Sequence, residues 1–307
     1  GYQVSFLILC SCISACAESP REQVGPNVQT PKVLVIGIDG IRPDVLMDVN
    51  TPNIDKLAAE GFLSNHAITG YPSVSGPGWS SMLNGVWPDK HGVTDNSFEG
   101  ERYNDFPDFL TRIEQVRPEL ETFAVTDWAP LGHSDQGRPP ISDAVDVKLV
   151  LDGYELGWAE ADAKSVQLAV EQLENSNPDA LFVYLGNPDE ISHEHSSIGS
   201  EYRDAIALAD EHVGILVQAL RDRPTYSDED WLILSSTDHG RRSDGGHGGD
   251  SEEERTIYFL ANGPSVVTPT LPDSTFIVDI AVTALTHLKI PIDPSWQLDG
   301  KPVGILR

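Results

Sequence analysis

The chain has 307 residues, which is enough for one large α/β domain or two small ones. Its 48 Asp and Glu residues outnumber its 20 Lys and Arg residues and give a formal net charge of −28. This acidity argues against a nucleic-acid scaffold, because such a protein needs a basic surface to neutralise phosphates. It is compatible with an envelope protein that charge repulsion keeps soluble.

The beginning of the chain resembles an export signal. Residues 4–15 (VSFLILCSCISA) form an apolar stretch that is too short to span a bilayer as a helix, as in the hydrophobic region of a secretory signal. Residues 13–16 (ISAC) resemble a bacterial lipobox, which would make Cys16 the lipidated first residue of the mature protein. The alternative is a plain signal cleaved near Ala17. Both interpretations predict an exported protein of the bacterial periplasm or cell envelope, in the first case with a lipid anchor in the membrane.

The same region of the chain contains the cysteines and leads into a predicted linker. All three cysteines lie within the first sixteen residues, which excludes a disulfide framework for the folded part. Residues 17–30 (AESPREQVGPNVQT) are polar, contain two prolines and are predicted to form a flexible linker. The domain that follows is expected to cover residues 31–307.

From residue 31 onward, apolar runs rich in β-branched residues alternate with helical patterns. The predicted strands are 32–38, 121–128, 180–186, 231–236 and 256–261. Helices are predicted from Thr51-Pro52, as N-cap and first residue, to Gly61, and over 162–173 and 201–220. This alternation predicts a doubly wound α/β fold with a mostly parallel central sheet flanked by helices. Residues 97–160 are less regular and could form a small cap over a site.

Three predicted strands end in acidic residues. The first strand runs into Asp39, the third is followed by Asp189 and His193, and the fourth by Asp238 and His239. A single Asp after a strand is usually a turn or capping residue. Three such ends, two of them with a histidine close by, favour a ligand site, because ligands bind at the carboxyl edge of open α/β sheets.

The spacing of the histidines extends this site. Asp189 and His193 are four residues apart, so one helical turn would place both on one side, although His195 remains a rival to His193. His247 lies on a glycine-rich loop that can fold back towards Asp238. Three carboxylates and three imidazoles suit two divalent ions, Zn²⁺ first and Mn²⁺ or Fe as alternatives. Coordination positions left open for substrate indicate catalysis.

A hydrolytic site of this type also needs a nucleophile. The segment 70–98 offers candidate serines at positions 73, 75, 80 and 81. Ser75 is followed by Gly-Pro-Gly, a turn that would expose its hydroxyl beside backbone N–H groups. Ser80 and Ser81 are predicted to begin and cap a helix. Ser75 is therefore the preferred nucleophile.

Several short motifs occur together in a specific order. They are IGIDG (36–40), the Ser-x-Pro turn at 75–77, LNGVWPDKHGVTDN (83–96), PDEISH (188–193), DHG (238–240) and GHGG (246–249). In this order and spacing they resemble the alkaline phosphatase superfamily, and within it the type I phosphodiesterase/nucleotide pyrophosphatase family. The resemblance covers roughly residues 31–261, and residues 276–303 are similar to the family's closing helix and strand.

The resemblance implies an alkaline-phosphatase-like fold with two metal ions. The positions that match the ligands of the ion activating the nucleophile are Asp39, Ser75, Asp238 and His239. The positions that match the ligands of the second ion are Asp189, His193 and His247. Asn96 matches an asparagine that hydrogen-bonds a phosphoryl oxygen.

The chain departs from the family pattern at the nucleophile. The phosphodiesterases typically show Thr-Phe-Pro-Asn, whereas this chain has Ser-Gly-Pro-Gly at 75–78. Serine keeps the chemistry with a looser rotamer, and Gly76 removes an aromatic wall, which leaves the nucleotide preference open. The arginine of the sulfatase signature is absent, which counts against a sulfatase. A basic residue just after the nucleophile, used by alkaline phosphatases to hold monoesters, is also absent, which favours diesters.

The predicted function is two-metal hydrolysis of a phosphodiester or phosphoanhydride bond in a small phosphate ester, through a phosphoserine at Ser75. The alternatives are a phosphomonoesterase or phosphonate hydrolase of the same superfamily, and a metal-binding envelope protein without turnover. Candidate substrate contacts are Arg241 or Arg242, Trp128 at the end of its strand, and His133 in the irregular segment.

Overall fold

The computed structural model describes residues 1–2, 29–134, 137–267 and 274–305. The predicted export signal beyond residue 2, Cys16 and almost all of the predicted linker therefore lie outside the described residues. Within the described ranges, none of the helices combines the length and the apolar character needed to cross a membrane.

A seven-stranded sheet forms the centre of the described chain. Its strands are β1 Thr30–Ile38, β2 Phe62–Ile68, β3 Thr122–Thr126, β4 Val147–Val150, β5 Ala180–Leu185, β6 Glu229–Ser236 and β7 Thr256–Asn262. Their order across the sheet is β2-β7-β6-β1-β5-β3-β4. The strands from β6 to β4 are parallel, and β7 runs antiparallel to both β6 and β2. The prediction of a mostly parallel sheet is confirmed.

Helices cover both faces of this sheet. They are α1 Pro43–Leu46, α2 Pro52–Glu60, α3 Ser75–Asn84, α4 Pro88–His91, α5 Phe109–Val116, α6 Gly153–Leu156, α7 Trp158–Asn175, α8 Asn187–His195, α9 Ser200–Arg221, α10 Glu252–Arg255 and α11 Asp279–His287. Alternate residues of β1 enter two separate cores: Val33 and Val35 pack with α3, α5 and α11, whereas Leu34 and Ile36 pack with α2, α7 and α9. This division is the doubly wound arrangement that the alternation of strands and helices predicts.

The start of α2 shows how tertiary contacts complete a local signal. The helix begins at Pro52 and is followed by Gly61, as predicted, but the Thr51 side chain makes no capping hydrogen bond. Instead, the Asp210 carboxylate on α9 accepts the backbone N–H groups of Asn53 at 3.2 Å and Ile54 at 2.7 Å. A residue distant in sequence therefore satisfies the free N–H groups at this helix terminus.

Two strands were not predicted. β2 carries the polar run Ser64-Asn65-His66 and has a register irregularity between Ser64 and Ala67, which breaks the alternation of apolar residues. β4 has four half-buried residues and lies at the edge of the sheet. Both therefore lack the apolar pattern of a buried strand.

The irregular segment 97–160 is largely part of the central domain. It contributes β3 and β4 to the sheet, so only its loops could act as a cap. At the end of the chain, α11 is present, but the predicted closing strand is reduced, among the described residues, to one β-bridge between Val266 and Ile305.

Candidate active site

The predicted ligands meet at the carboxyl edge of the sheet. Asp39 directly follows β1, Asp238 and His239 lie just after β6, and α8 follows β5 after one residue. Because β1 lies between β5 and β6 and all three are parallel, these three strand ends are neighbours. The sheet topology thus brings together residues that lie up to 200 positions apart in the sequence.

The first group of ligand atoms comprises Asp39, Asp238 and His239, all of them buried. His239 Nε2 lies 3.5 Å from Asp39 Oδ1 and 3.3 Å from Asp238 Oδ2. Both of these carboxylate oxygens are buried and have no hydrogen-bond partner among the described residues. Buried oxygens of this kind carry a large cost unless something satisfies them, so the group fits a cation.

Neighbouring side chains hold the other oxygen of each carboxylate. Trp79 Nε1 and the Tyr184 hydroxyl donate to Asp39 Oδ2 at 2.9 and 2.6 Å. The backbone N–H of Gly40 donates to Asp238 Oδ1 at 3.3 Å. One oxygen of each carboxylate is therefore fixed, and the other is directed towards His239.

The second group contains Asp189, His193 and His247. On α8, His193 Nε2 lies 3.2 Å from Asp189 Oδ2, as the spacing of four residues predicted. His193 Nε2 also lies 3.2 Å from His247 Nε2 on the glycine-rich loop. His195, the rival histidine, instead lies 3.8 Å from the neighbouring Glu194. The structure therefore brings His193 rather than His195 to this group, and its role as a ligand stays a prediction.

The two groups share a boundary at His239. Its Nε2 is 3.7 Å from Asp189 Oδ1, and its ring stacks on that of His247 with centroids 3.8 Å apart. His239 therefore also forms a candidate ligand group with Asp189 and His247. The assignment of His239 to one ion alone rests on the family resemblance.

Backbone carbonyls fix the orientation of two imidazoles. His239 Nδ1 lies 2.9 Å from the Gly240 carbonyl, and His247 Nδ1 lies 2.8 Å from the Ser73 carbonyl. A carbonyl only accepts, so each Nδ1 carries the hydrogen and each neutral ring leaves its Nε2 lone pair facing the site. This is the usual arrangement around histidines that bind metal.

The electrostatics of the site also fit a bound cation. Burial, and then the Asp238 carboxylate, raises the pKa of Asp39 well above its ordinary value. Burial, and then the Asp189 carboxylate, raises the pKa of Asp238 to about 7. Burial, and then His247, lowers the pKa of His239. The carboxylates thus lack a counter-charge, whereas the imidazole is held in the neutral form that binds metal.

Ser75 lies beside the first group, at the first position of α3. Its Oγ is 3.3 Å from His239 Nε2. Asn96 Oδ1 accepts the backbone N–H of Gly76 at 2.7 Å, which places Asn96 next to Ser75. A Cβ at Gly76 would overlap the Asp95 carbonyl, and one at Gly78 would come within 2.9 Å of Asp238. Close approach of these segments explains why glycines surround the serine.

Ser80 and Ser81 have a different place from the predicted one. Because α3 already begins at Ser75, neither residue caps it, and that prediction is wrong. Ser80 Oγ donates to the Gly76 carbonyl at 2.6 Å. Ser81 Oγ bonds His91 Nε2 at 3.0 Å, and His91 Nδ1 accepts the Val93 N–H at 3.1 Å. Both serines are structural.

The two arginines of the glycine-rich loop lie in different environments. Arg241 is fully buried and pairs with Asp189. Arg242 is half-exposed and pairs with Glu254 at 2.8 Å. Because Asp189 holds the Arg241 guanidinium and Glu254 holds that of Arg242, their predicted contacts with substrate gain no support from this geometry.

A cavity of about 360 Å³ opens beside Asn96. Its other lining residues are Ser97, Phe98, Ala129, Pro130, His133 and Ser134. His133 is thus part of a cavity wall next to the site. Trp128 is nearly buried and packs behind Phe98, with ring centroids 5.9 Å apart, so it supports the wall instead of forming it.

This arrangement agrees with sequence comparison. The sequence profile of the type I phosphodiesterase/nucleotide pyrophosphatase family matches residues 33–125 and 112–243, which contain every predicted ligand except His247. The chain belongs to this family.

Curated relatives of this family member include three from rat and fission yeast. It is 23% identical to rat ectonucleotide pyrophosphatase/phosphodiesterase family member 3 over 74% of this chain and 26% of the relative. It is 24% identical to rat family member 7 over 77% of this chain and 54% of the relative. It is 26% identical to an uncharacterised pyrophosphatase/phosphodiesterase of Schizosaccharomyces pombe over 70% of this chain and 46% of the relative. The chain thus spans about a quarter to a half of the length of these relatives.

Solved structures share the fold of this family member. A 2-O GAG sulfatase superposes with a TM-score of 0.71 at 15% identity, covering 89% of this chain and 73% of that chain. Inactive murine ectonucleotide pyrophosphatase/phosphodiesterase 5 in complex with AMP superposes with a TM-score of 0.62 at 14% identity, covering 85% and 96%. Both similarities confirm the alkaline-phosphatase-like fold predicted from the motifs.

Sequence reasoning missed the residues that support the ligands. No motif or periodicity assigns Trp79 or Tyr184 to the site, although both donate hydrogen bonds to Asp39. The signal for Tyr184 is the register of β5 against β1, which pairs it with Gly37, two residues before Asp39. That register is not visible in either strand alone.

A buried pair of carboxyl groups supports α8 in this family member. Asp162 on α7 accepts the backbone N–H of Gly186 at 2.8 Å and of Asn187 at 3.3 Å, at the start of the helix that carries Asp189. Asp127 after β3 lies close enough to Asp162 to influence its charge, and both are buried. Burial, and then Asp162, raises the pKa of Asp127 well above its ordinary value, so we expect the pair to share a proton.

This pair predicts a pH-dependent stability. Burial also raises the pKa of Asp162 to about 7 from 3.8, so the folded protein keeps protons that the unfolded chain has lost. The stabilisation is fully present below pH 3.8 and is lost as the pH rises to 7 and above. An Asp127→Asn variant keeps a donor for Asp162 but cannot titrate. Relative to it, the wild type should lose up to about 1.4 kcal/mol of unfolding free energy per pH unit.

Thermal unfolding of chelator-treated protein between about pH 5 and pH 8 measures this difference, since groups other than the pair contribute equally to both proteins. Asp204→Asn, at an exposed position on α9, serves as the matched control and should follow the wild type. An Asp127→Asn curve parallel to the wild-type curve would show that the pair does not titrate in this range.

Proposed function

We propose that this family member is a metal-dependent hydrolase that cleaves phosphodiester or phosphoanhydride bonds of small phosphate esters, with Ser75 as nucleophile. The observation that carries the proposal is the position of the Ser75 hydroxyl, 3.3 Å from Nε2 of His239, a residue that belongs to both clusters of candidate metal ligands. Membership of the phosphodiesterase/nucleotide pyrophosphatase family supports the class of bond. The AMP complex of the murine structural neighbour supports a nucleotide as substrate.

Two divalent ions, Zn²⁺ first, fit the side chains of the site. The first would be held by Asp39, Ser75, Asp238 and His239, and the second by Asp189, His193 and His247. All donors are oxygen or nitrogen atoms. Two of them, Asp39 Oδ1 and Asp238 Oδ2, are buried and have no hydrogen-bond partner among the described residues. When bound, such ions lower the pKa of a coordinated hydroxyl and stabilise negative charge on phosphoryl and leaving-group oxygens.

The residues of the chain perform the remaining tasks. Ser75 Oγ forms the bond to phosphorus as the bond to the leaving group breaks, and water then hydrolyses the phosphoserine. Because Asn96 Oδ1 is held by the Gly76 N–H, its Nδ2 is free to donate to a phosphoryl oxygen. The amino terminus of α3 adds a favourable dipole for an anion at Ser75.

The cavity beside Asn96 would receive the organic group attached to phosphorus. Phe98, Ala129 and Pro130 supply apolar contacts, and His133 supplies a polar group. Its volume of about 360 Å³ lies within the range of small-molecule sites. Although Gly76 stands where the family has an aromatic residue, this cavity offers other contacts that could hold a nucleoside.

Turnover of a small panel of chromogenic phosphate and sulfate esters provides the direct test. We expect bis(p-nitrophenyl) phosphate to be turned over at least about tenfold more efficiently than p-nitrophenyl phosphate, since no basic residue follows Ser75 to hold a dianion. Metal analysis should find two ions per chain, and chelation should abolish turnover. A preference for the monoester would instead support a phosphomonoesterase, and no turnover of a protein with bound metal would support a binding role. p-Nitrophenyl sulfate tests the sulfatase chemistry of the structural neighbours.

Export to the bacterial periplasm or cell envelope remains part of the proposal. Its support is the apolar stretch 4–15 and the lipobox-like ISAC at 13–16. Globomycin sensitivity of processing, or loss of membrane association in a Cys16→Ser variant, would identify lipidation at Cys16. Processing that is unchanged in that variant would favour the plain secretory signal.

A further inference from the structure

Arg241, near the start of the glycine-rich loop, contacts a candidate metal ligand. Its side chain is fully buried. The guanidinium donates one hydrogen bond to Asp189 Oδ1 on α8 and another to the Gly245 carbonyl. Its own backbone carbonyl accepts from Arg42 at 3.0 Å. The Arg241 side chain thus connects α8 with the glycine-rich loop.

These two segments supply all the predicted ligands of the second ion. Asp189 and His193 lie on α8, whereas His247 lies on the loop, two residues beyond Gly245. The loop approaches α8 so closely that a Cβ at Gly245 would overlap the Ser192 carbonyl, and Gly245 has a φ of 91°. The relative position of the ligands therefore depends on contacts between α8 and the loop.

Arg241 also selects which oxygen of Asp189 is available. It occupies Oδ1 and leaves Oδ2 facing His193 Nε2 at 3.2 Å. The same contact places a positive charge directly against the Asp189 carboxylate, inside a part of the protein where the Arg241 side chain is fully buried. A carboxylate that an ion pair holds in one orientation is prepared to bind a metal.

We propose that Arg241 is a positioning residue for the second metal, which fixes Asp189 and the His247 loop so that Asp189 Oδ2, His193 and His247 face one ion. This inference rests on the proposed two-metal function. It differs from the prediction that Arg241 contacts substrate, because a substrate contact would leave metal affinity unchanged.

The test is a metal titration of wild type, Arg241→Gln and Arg242→Gln. Each metal-free protein is titrated with Zn²⁺ in competition with a chromophoric chelator, and Co²⁺ absorption spectra are recorded in parallel. Loss of such an outer contact typically weakens metal binding by about 10–100-fold, so Arg241→Gln should weaken the second ion by this factor and leave the first nearly unchanged. Arg242→Gln, its half-exposed neighbour, should bind both ions like the wild type.

The possible outcomes separate this inference from the proposed function. If the wild type itself binds fewer than two ions, the two-metal function fails. If the wild type and Arg241→Gln bind two ions equally well, only the role of Arg241 fails. Tighter binding by Arg241→Gln would also overturn it, because the guanidinium would then be a competitor of the ion.

A second variant covers the case in which Arg241→Gln does not fold. Arg241→Lys keeps the positive charge, but one ammonium group cannot reproduce the two-pronged contact to Asp189 and Gly245. We expect intermediate affinity for the second ion, about tenfold below that of the wild type. Wild-type affinity in a folded Arg241→Lys protein would contradict the bridging role.

Discussion

A Ser75→Ala variant is expected to lose diester hydrolysis by a factor of at least about 10³ in kcat, because removal of a nucleophile usually abolishes most of the catalytic effect. The side chain of Ser75 lies at the start of α3, and its Oγ is 3.3 Å from His239 Nε2. Alanine removes the attacking oxygen but keeps the helix.

Metal content should distinguish this loss from a general collapse of the site. Six of the seven predicted ligands remain in Ser75→Ala. They include Asp39 and Asp238, each of which has one buried oxygen without a hydrogen-bond partner among the described residues. We therefore expect two ions per chain in metal analysis and a folded protein in circular dichroism. Trapping of a radiolabelled phosphoenzyme with a slow substrate should succeed in the wild type and fail in the variant.

Two further variants complete this experiment. Ser75→Thr restores a hydroxyl of the type found in the related phosphodiesterases and should recover a measurable part of the activity. Ser200→Ala, at an exposed position on α9, should be as active as the wild type. If Ser75→Ala keeps activity within about tenfold of the wild type, Ser75 is not the nucleophile.

A Gly40→Ala variant is expected to lose activity by about 100-fold or more, although residue 40 carries no ligand. Gly40 has a φ of 65°, and a Cβ there would overlap Asp189 Oδ1 and come within 2.8 Å of Arg241 Nε. The added methyl group must displace Asp189, and misplacement of a reacting group by about 1 Å can cost 10²-fold in rate.

Gly157→Ala is the matched control for this substitution. Gly157 also has a positive φ, of 87°, but a Cβ there would meet nothing within 4 Å. It should lose about 1–2 kcal/mol of stability from the backbone conformation and keep its turnover. Gly40→Ala should show the same backbone cost and, in addition, weaker binding of the second metal. Equal turnover in the two variants would mean that Asp189 has room to adjust.

Local sequence was sufficient to predict that the candidate ligands lie together. Asp39, Asp238 and His239 each follow a short, continuously apolar strand, and such strands have only one place in an α/β sheet. Because the strands are parallel, their carboxyl ends meet at one edge, and the ligands meet with them. The spacing of Asp189 and His193 needed only the geometry of one helical turn.

The supporting contacts could not be predicted in this way. The Asp127–Asp162 pair joins β3 to α7, and Tyr184 on β5 reaches Asp39 at the end of the neighbouring strand β1. Each contact depends on strand register or on the rotation of a helix about its axis, and neither is encoded within a short stretch of sequence. The strand β2 was missed for a related reason, since its polar residues become strand only by pairing with β7.

By itself, the sequence indicated five of the seven strands of the described chain, the strand ends that carry the candidate ligands, and the family, because these follow from periodicity and from motifs that are each only a few residues long. The tertiary structure placed His193 rather than His195 next to Asp189, and it moved the beginning of α3 to Ser75. It also turned Arg241 from a candidate substrate contact into the buried partner of Asp189. These outcomes depend on which distant segments come within a few ångströms, and the packing of the whole sheet sets those distances.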